Sequence, residues 1–200
     1  MLIYCKTNKY IMRAVVFLLM LGGFLIGCSS SKKTVESTAQ SKALEALIAK
    51  KSFNIQSDWM YPLATSSMNV IANSGLLPPG STVNGISLIG NPNHIKFHGD
   101  SISMDLPFYG ERQLPGQYTR NEGGIVFNGV PDRYEVTKDE KRQRHIIKFT
   151  VKNNRESYRV MVTLYPNWTS NININSSHRT SIRYRGDVST LEKDNGLVTN

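Results

Sequence analysis

The chain has 200 residues, two of them cysteine, and carries 24 basic against 15 acidic residues for a formal net charge of +9. That length suits one compact domain, and two cysteines exclude a disulfide-built scaffold. The positive balance is moderate and lacks the interleaving of basic and aromatic residues used to grip RNA or DNA, so nucleic acid is excluded as the expected partner.

The first element is an apolar run from Ala14 to Ile26, preceded by Met12-Arg13. A membrane-spanning helix needs about 20 apolar residues, whereas this run has the length of a secretory h-region. Met12-Arg13 forms a minimal n-region by itself, which leaves two candidate starts, Met1 and Met12, the second making Met1 to Ile11 an over-extension of the gene. The run closes on Leu25-Ile26-Gly27-Cys28, followed by Ser29-Ser30-Ser31. Leu25 three residues before the cysteine and small Gly27 directly before it resemble a lipobox, in which cleavage between Gly27 and Cys28 leaves an acylated cysteine as the new first residue. The expected organisation is a signal peptide over 1–27, a lipidated Cys28 with a flexible tether over 28–41, one β-rich domain over 42–190 and a flexible tail over 191–200. Removing residues 1–27 takes Lys6, Lys9 and Arg13 with it and leaves a net charge of +6. Ser29 after the cysteine points to the outer membrane, facing the periplasm.

Residues Ser29 to Ser41 are polar and cannot bury enough surface to offset the entropy of ordering. A helix is predicted next, from Ala43, Leu44, Leu47 and Ile48, with Lys50-Lys51 complementing its C-terminal dipole. After Phe53 the period becomes two. Ile102, Met104 and Leu106 define one half-buried strand; Ile147, Phe149 and Val151 a second; Tyr158, Val160, Val162 and Leu164 a third. Shorter alternations recur at Ile86/Leu88, Ile95/Phe97, Ile125/Phe127, Tyr134/Val136, Ile172/Ile174 and Ile182/Tyr184. Gly99-Asp100, Asn128-Gly129, Lys138 to Arg144 and Asn153-Asn154 are predicted turns. The expected fold is mainly β: an N-terminal helix followed by an antiparallel sheet, β-barrel-like or two-layered.

Five blocks bear on family. Asp58-Trp59-Met60-Tyr61-Pro62-Leu63, Gly99-Asp100-Ser101, Leu106-Pro107-Phe108-Tyr109-Gly110, Gly123-Gly124-Ile125-Val126-Phe127 and Arg179-Thr180-Ser181-Ile182-Arg183-Tyr184-Arg185-Gly186-Asp187-Val188 occur in that order. Together they resemble domain of unknown function family 4251 over about residues 40–190. The resemblance implies a small lipid-anchored envelope protein of a Gram-negative bacterium and carries no activity. Two departures stand out: a longer excursion from Ala72 to Asn84, and Asn167-Trp168 where a tighter Asn-Gly turn is expected.

The search for chemistry gives little catalysis. Gly99-Asp100-Ser101 resembles the nucleophile block of Gly-Asp-Ser lipases, but the chain has no Asp-x-x-His partner and Ser101 opens a strand, so a hairpin turn is expected. Ser29-x-x-Lys32 lies in the tether with no helix to hold its lysine against the serine. His94 and His98 sit on one strand roughly 13 Å apart and cannot chelate a metal as a pair. His145 and His178 lack ligands at metal spacing and are expected to face solvent; no metal and no cofactor are expected.

Arg183 and Arg185 stand at i and i+2 of one strand, aiming two guanidinium groups to the same face roughly 7 Å apart. Arg159 joins them if its strand is a neighbour. Such a fork suits phosphate or carboxylate, unless Asp or Glu on adjacent strands neutralises it. Phe108 and Tyr109 are expected at a strand end, on opposite sides, as rim aromatics, with Gly110 in a positive-φ conformation. The function expected is non-catalytic binding or envelope support, with the membrane reached through acylated Cys28 and an envelope protein or anionic lipid as partner. One alternative is a carrier of a small apolar ligand inside a barrel; a second is an enzyme of unrecognised type.

Overall fold

The computed structural model describes residues 37–114, 123–153 and 156–191. Gly27 and Cys28, with the whole segment expected to be a signal peptide, lie outside the described residues. Helix α1 spans Ala39–Lys50, beginning where the extended Thr38 accepts a hydrogen bond from Ser41 N at 3.1 Å. This N-cap starts the helix at Ala39, ahead of the first apolar residue of the predicted pattern, Ala43, and Ser41 is buried. Leu44 and Ile48 point inward. Lys51 ends the helix in the left-handed region at φ 48° and returns its N–H to Ile48 O.

Among the described residues ten strands follow: β1 (Ser52–Pro62), β2 (Ile86–Ser87), β3 (His94–His98), β4 (Ser101–Pro107), β5 (Gly124–Gly129), β6 (Arg133–Asp139), β7 (Arg144–Asn153), β8 (Glu156–Leu164), β9 (Thr169–Ser176) and β10 (Ile182–Thr190). A short helix, α2 (Ser66–Asn73), leaves β1 behind an N-cap at Thr65. The spatial order is β5-β4-β3-β1-β10-β9-β8-β7-β6, with β2 added beside β1, and every pair is antiparallel. The sheet curls into a half-barrel with the N-terminal helix before its strands. Its two edge strands, β5 and β6, are consecutive in the chain and separated only by residues 130–132. Asp132 N donates to Thr150 O at 2.9 Å and Asn153 Nδ2 to Val126 O at 2.7 Å, tying that link and β5 to β7. Asn128-Gly129 is therefore no tight turn: both residues remain in the ladder, opposite Ser103 and Ile102.

β1 lies at the centre and was hidden by a bulge. Phe53, Ile55 and Ser57 face inward, the register with β10 shifts between Ser57 and Trp59, and Met60 and Pro62 resume the inward series. One extra residue moves Trp59 and Tyr61 to the outer face. Gly186 stands opposite this bulge, where a Cβ would lie 1.9 Å from Gln56 O, so no side chain fits.

The concave side is filled. Phe53 stacks on Phe97 with centroids 4.3 Å apart, and Phe149 meets Phe97 edge-on at 6.0 Å. Ile, Leu, Met and Val from both halves of the sheet complete one continuous buried cluster. Each fully buried large side chain contributes about 1.5–3 kcal/mol relative to exposure, which lets the domain hold together on its core.

Both ends of the half-barrel are covered. At one, α1 packs Leu44 and Ile48 into the core cluster and is held by Trp168 Nε1 to Gln40 O at 3.1 Å and by Lys138 to Glu45 at 3.2 Å. Lys51 Nζ adds a 2.7 Å contact to Asp100 in the β3–β4 turn. At the other, the chain after β4 crosses to the β9–β10 connection: Thr180 N donates to Glu111 O at 2.9 Å and Gln113 N to His178 O at 2.7 Å. Among the described residues no helix is long and apolar enough to cross a membrane.

Candidate functional site

The outer face of β1, β10, β9 and β8 carries the most distinctive surface. Period-two geometry sends Ile182 and Tyr184 into the core and Arg183 and Arg185 outward, as the alternation predicts. Register supplies their neighbours. Arg183 lies between Tyr61 on β1 and Asn173 on β9, and Arg185 between Trp59 and Asn171. The Arg183 guanidinium sits 6.0 Å from the Tyr61 ring centroid. No carboxylate occupies any of these four flanking positions, and among the described residues neither arginine takes part in an ion pair.

Arg185 is shared by three recesses. The largest, about 640 Å³, runs from Trp59 and Tyr61 under the Gly80–Gly85 loop to Asp187. A second of about 380 Å³ lies over Tyr61, Thr163, Asn171, Asn173 and Arg183, and a third of about 480 Å³ over Tyr165, Asn167 and Thr169. Gly85 packs against both rings, where a Cβ would touch Tyr61 at 3.5 Å and Trp59 at 3.7 Å. Arg159 does not join the pair. Its strand β8 is separated from β10 by β9, and its own partner is Asn175, so it lines a different recess with Arg133, Glu135 and Lys148.

The rim aromatics are placed differently from expectation. β4 ends at Pro107, the last ladder position as its missing N–H requires, so strand alternation does not extend to Phe108 and Tyr109. Both are half-buried against the core. Arg179 lies 5.1 Å over the Phe108 ring, which makes Phe108 part of a buried cluster and not a free rim. Gly110 is not in the positive-φ region, which holds other glycines. What it needs is space: a Cβ there would lie 2.7 Å from Phe108 Cζ and 2.9 Å from Thr180 Oγ1.

That cluster escaped sequence reasoning. Arg179 Nε contacts Glu156 Oε1 at 3.0 Å, and Arg179 Nη1 donates to Gly124 O at 3.0 Å. Ser176 Oγ donates to the same carboxylate, and Arg112 approaches it at 3.7 Å. Nearby, Tyr184 OH donates to Pro107 O at 2.7 Å, and burial pushes both the Tyr158 and Tyr184 hydroxyls well above the ordinary phenol range. These contacts join three of the blocks quoted above at one end of the half-barrel. The signal available was Arg179 itself, an arginine beside a strand start with no acidic residue near it in sequence; its partner Glu156 lies 23 residues away.

The catalytic candidates resolve into structure. Gly99 takes φ 61° in the β3–β4 turn and Asp100 is held by Lys51, so Asp100-Ser101 is hairpin chemistry. Lys51 also pulls the Asp100 carboxyl below its ordinary range. His94 meets Ser103 Oγ at 3.0 Å and His98 is exposed. His145 corrects the expectation of solvent-facing histidines. It points inward at the start of β7, buried beneath α1, and burial lowers its imidazole pKa. Among the described residues no group of three or more His, Cys, Asp or Glu is placed to hold a metal ion.

The family model described as "Domain of unknown function (DUF4251)" matches residues 35–188. A crystal structure of a DUF4251 family protein from Bacteroides eggerthii DSM 20697, at 1.95 Å resolution, matches with a TM-score of 0.51 at 13% identity, covering 77% of this chain and 89% of that one. The likeness extends to the fold. No curated protein matches the chain. The chain belongs to the DUF4251 family.

Proposed function

We propose that this DUF4251 domain is a non-catalytic binding module, tethered to the outer membrane through acylated Cys28, whose outer sheet face recognises an anionic component of the envelope. The observation that carries the reading is the environment of Arg183 and Arg185: two guanidinium groups on one face, flanked across the strands by aromatic rings and amides, with no ion pair to either among the described residues; Asp58 and Asp187 share the Arg185 recess without pairing with it. Arg144, by contrast, pairs with Asp139 at 3.0 Å. Arg183 and Arg185 stay available for a planar anion, to which guanidinium offers paired donors. The filled concave side favours this surface over transport of an apolar ligand in the interior.

The anchor rests on Leu25-Ile26-Gly27-Cys28 and the polar tether behind it. Site-specific photo-crosslinking in intact cells tests the whole reading: a probe at Thr163, beside the arginine rows, captures an anionic envelope component that a probe at Lys152 does not. Equal capture from both positions contradicts it.

A further inference from the structure

We infer that the anionic component is a glycan, its sugar rings carrying carboxylate or phosphate groups, laid across β1, β10, β9 and β8; this rests on the anion-binding reading above. The argument starts from β9, whose sequence alternates Ile172 and Ile174 inward with Asn171, Asn173 and Asn175 outward. Asparagine is a poor strand former, so three in register on a solvent face is an arrangement the fold does not require. Each amide offers two donors and an acceptor. Only part of that capacity is used internally: Asn171 Nδ2 donates to Tyr165 OH at 3.0 Å and Asn175 Nδ2 to Asn173 Oδ1 at 3.2 Å.

The amide row therefore presents mixed donors and acceptors next to the arginine row, and the arginine row borders Trp59 and Tyr61. Hydroxyl-rich rings need that mixture, aromatic faces suit their apolar C–H sides, and guanidinium suits a charged substituent. A bilayer surface would be met differently. Insertion among headgroups calls for exposed apolar side chains, and on this stretch the large one exposed is Met161. An acidic polypeptide would gain most at an unpaired strand edge, whereas these four strands lie inside the sheet with their backbone groups spent on neighbours.

The test uses the full chain in neutral detergent and isothermal calorimetry with four probes: an oligogalacturonate, its neutral methyl ester, a lipid-free phosphorylated lipopolysaccharide core oligosaccharide, and soluble dihexanoyl phosphatidylglycerol. The expected result is binding of at least one acidic oligosaccharide, the first or third probe telling carboxylate from phosphate, at least tenfold tighter than the methyl ester and the phospholipid. Asn173→Ala and Tyr61→Ala each weaken that binding about fivefold without moving the melting temperature by more than a few degrees. Phospholipid bound as tightly as any oligosaccharide, with the affinity lost in Arg183→Gln/Arg185→Gln, overturns the glycan assignment and leaves the anion-binding reading standing. No binding of any probe overturns the glycan assignment too, and the crosslinking experiment then decides the broader reading separately.

Discussion

Arg179 and Glu156 form a buried ion pair at the end of the half-barrel away from α1, with side chains 5% and 9% exposed and Nε–Oε1 at 3.0 Å. The pair joins the start of β8 to the β9–β10 connection and, through Gly124 O, to β5. Removing one partner strands the other charge in a low-dielectric setting, a loss of about 3–5 kcal/mol. Glu156→Gln is therefore expected to lower the melting temperature by roughly 6–20 °C, since about 1 kcal/mol moves a domain of this size by roughly 2–4 °C. Replacing both with Met recovers most of the loss. Thermal melts of the three chains check this, and a single variant melting like the parent would contradict it.

Trp168 occupies the left-handed region at φ 65°, where a glycine would fit without cost. Its indole donates to Gln40 O in the first turn of α1, so the side chain docks the start of the helix. Trp168→Gly relieves about 1 kcal/mol of backbone strain but releases that contact. Hydrogen exchange should quicken over Ala39–Lys50 while β8 and β9 keep their protection. Unchanged exchange in α1 would show that Trp168 has no docking role.

His145 links folding to pH. Burial is the leading cause of its lowered pKa, reinforced by Lys138 and opposed by Glu45 and Glu140. The folded state therefore resists protonation more than the unfolded chain does. Stability from this group is complete above the unfolded value of about 6.5 and is lost as pH falls from there through the folded value. Melting temperatures between pH 7.5 and 5 should fall less steeply in His145→Leu than in the parent. A residual slope belongs to His94, which burial also pushes down. Parallel profiles would remove His145 from the account.

Much of the fold is legible from period and turn chemistry. Ile102/Met104/Leu106 and Tyr158 to Leu164 read as strands because every second residue is apolar and no bulge interrupts them. β1 is not legible, since its bulge breaks the alternation after Ser57 and its outward residues include Asn54, Gln56 and Asp58. α2 has only one buried residue, Met68, and so leaves no helical stripe. At the site, the outward fork of Arg183 and Arg185 follows from spacing alone. The position of Arg159 does not, because strand order depends on long-range pairing that a local pattern cannot encode. The Glu156–Arg179 pair is hidden for the same reason.

In the proposed reading Cys28 sets the location. Cys28→Ser should abolish acylation and signal cleavage, so the protein extracts without detergent or persists as an unprocessed precursor; each buried CH₂ of an acyl chain contributes about 0.8 kcal/mol to anchoring. Fractionation and mass measurement of the mature N-terminus check it. Normal processing and membrane retention in the variant would contradict the lipoprotein reading.

The central claim is that Arg183 and Arg185 serve recognition and not the fold, and the most direct measurement is a paired melt and capture of Arg183→Gln/Arg185→Gln beside Arg159→Gln. Exposed side chains without ion-pair partners cost little when changed, within about 0.5 kcal/mol. The account predicts that the double variant melts within a few degrees of the parent yet loses capture of the anionic envelope component, that the parent's capture weakens with salt, and that Arg159→Gln retains it. A double variant that melts far below the parent, or that captures the component as the parent does, would contradict it.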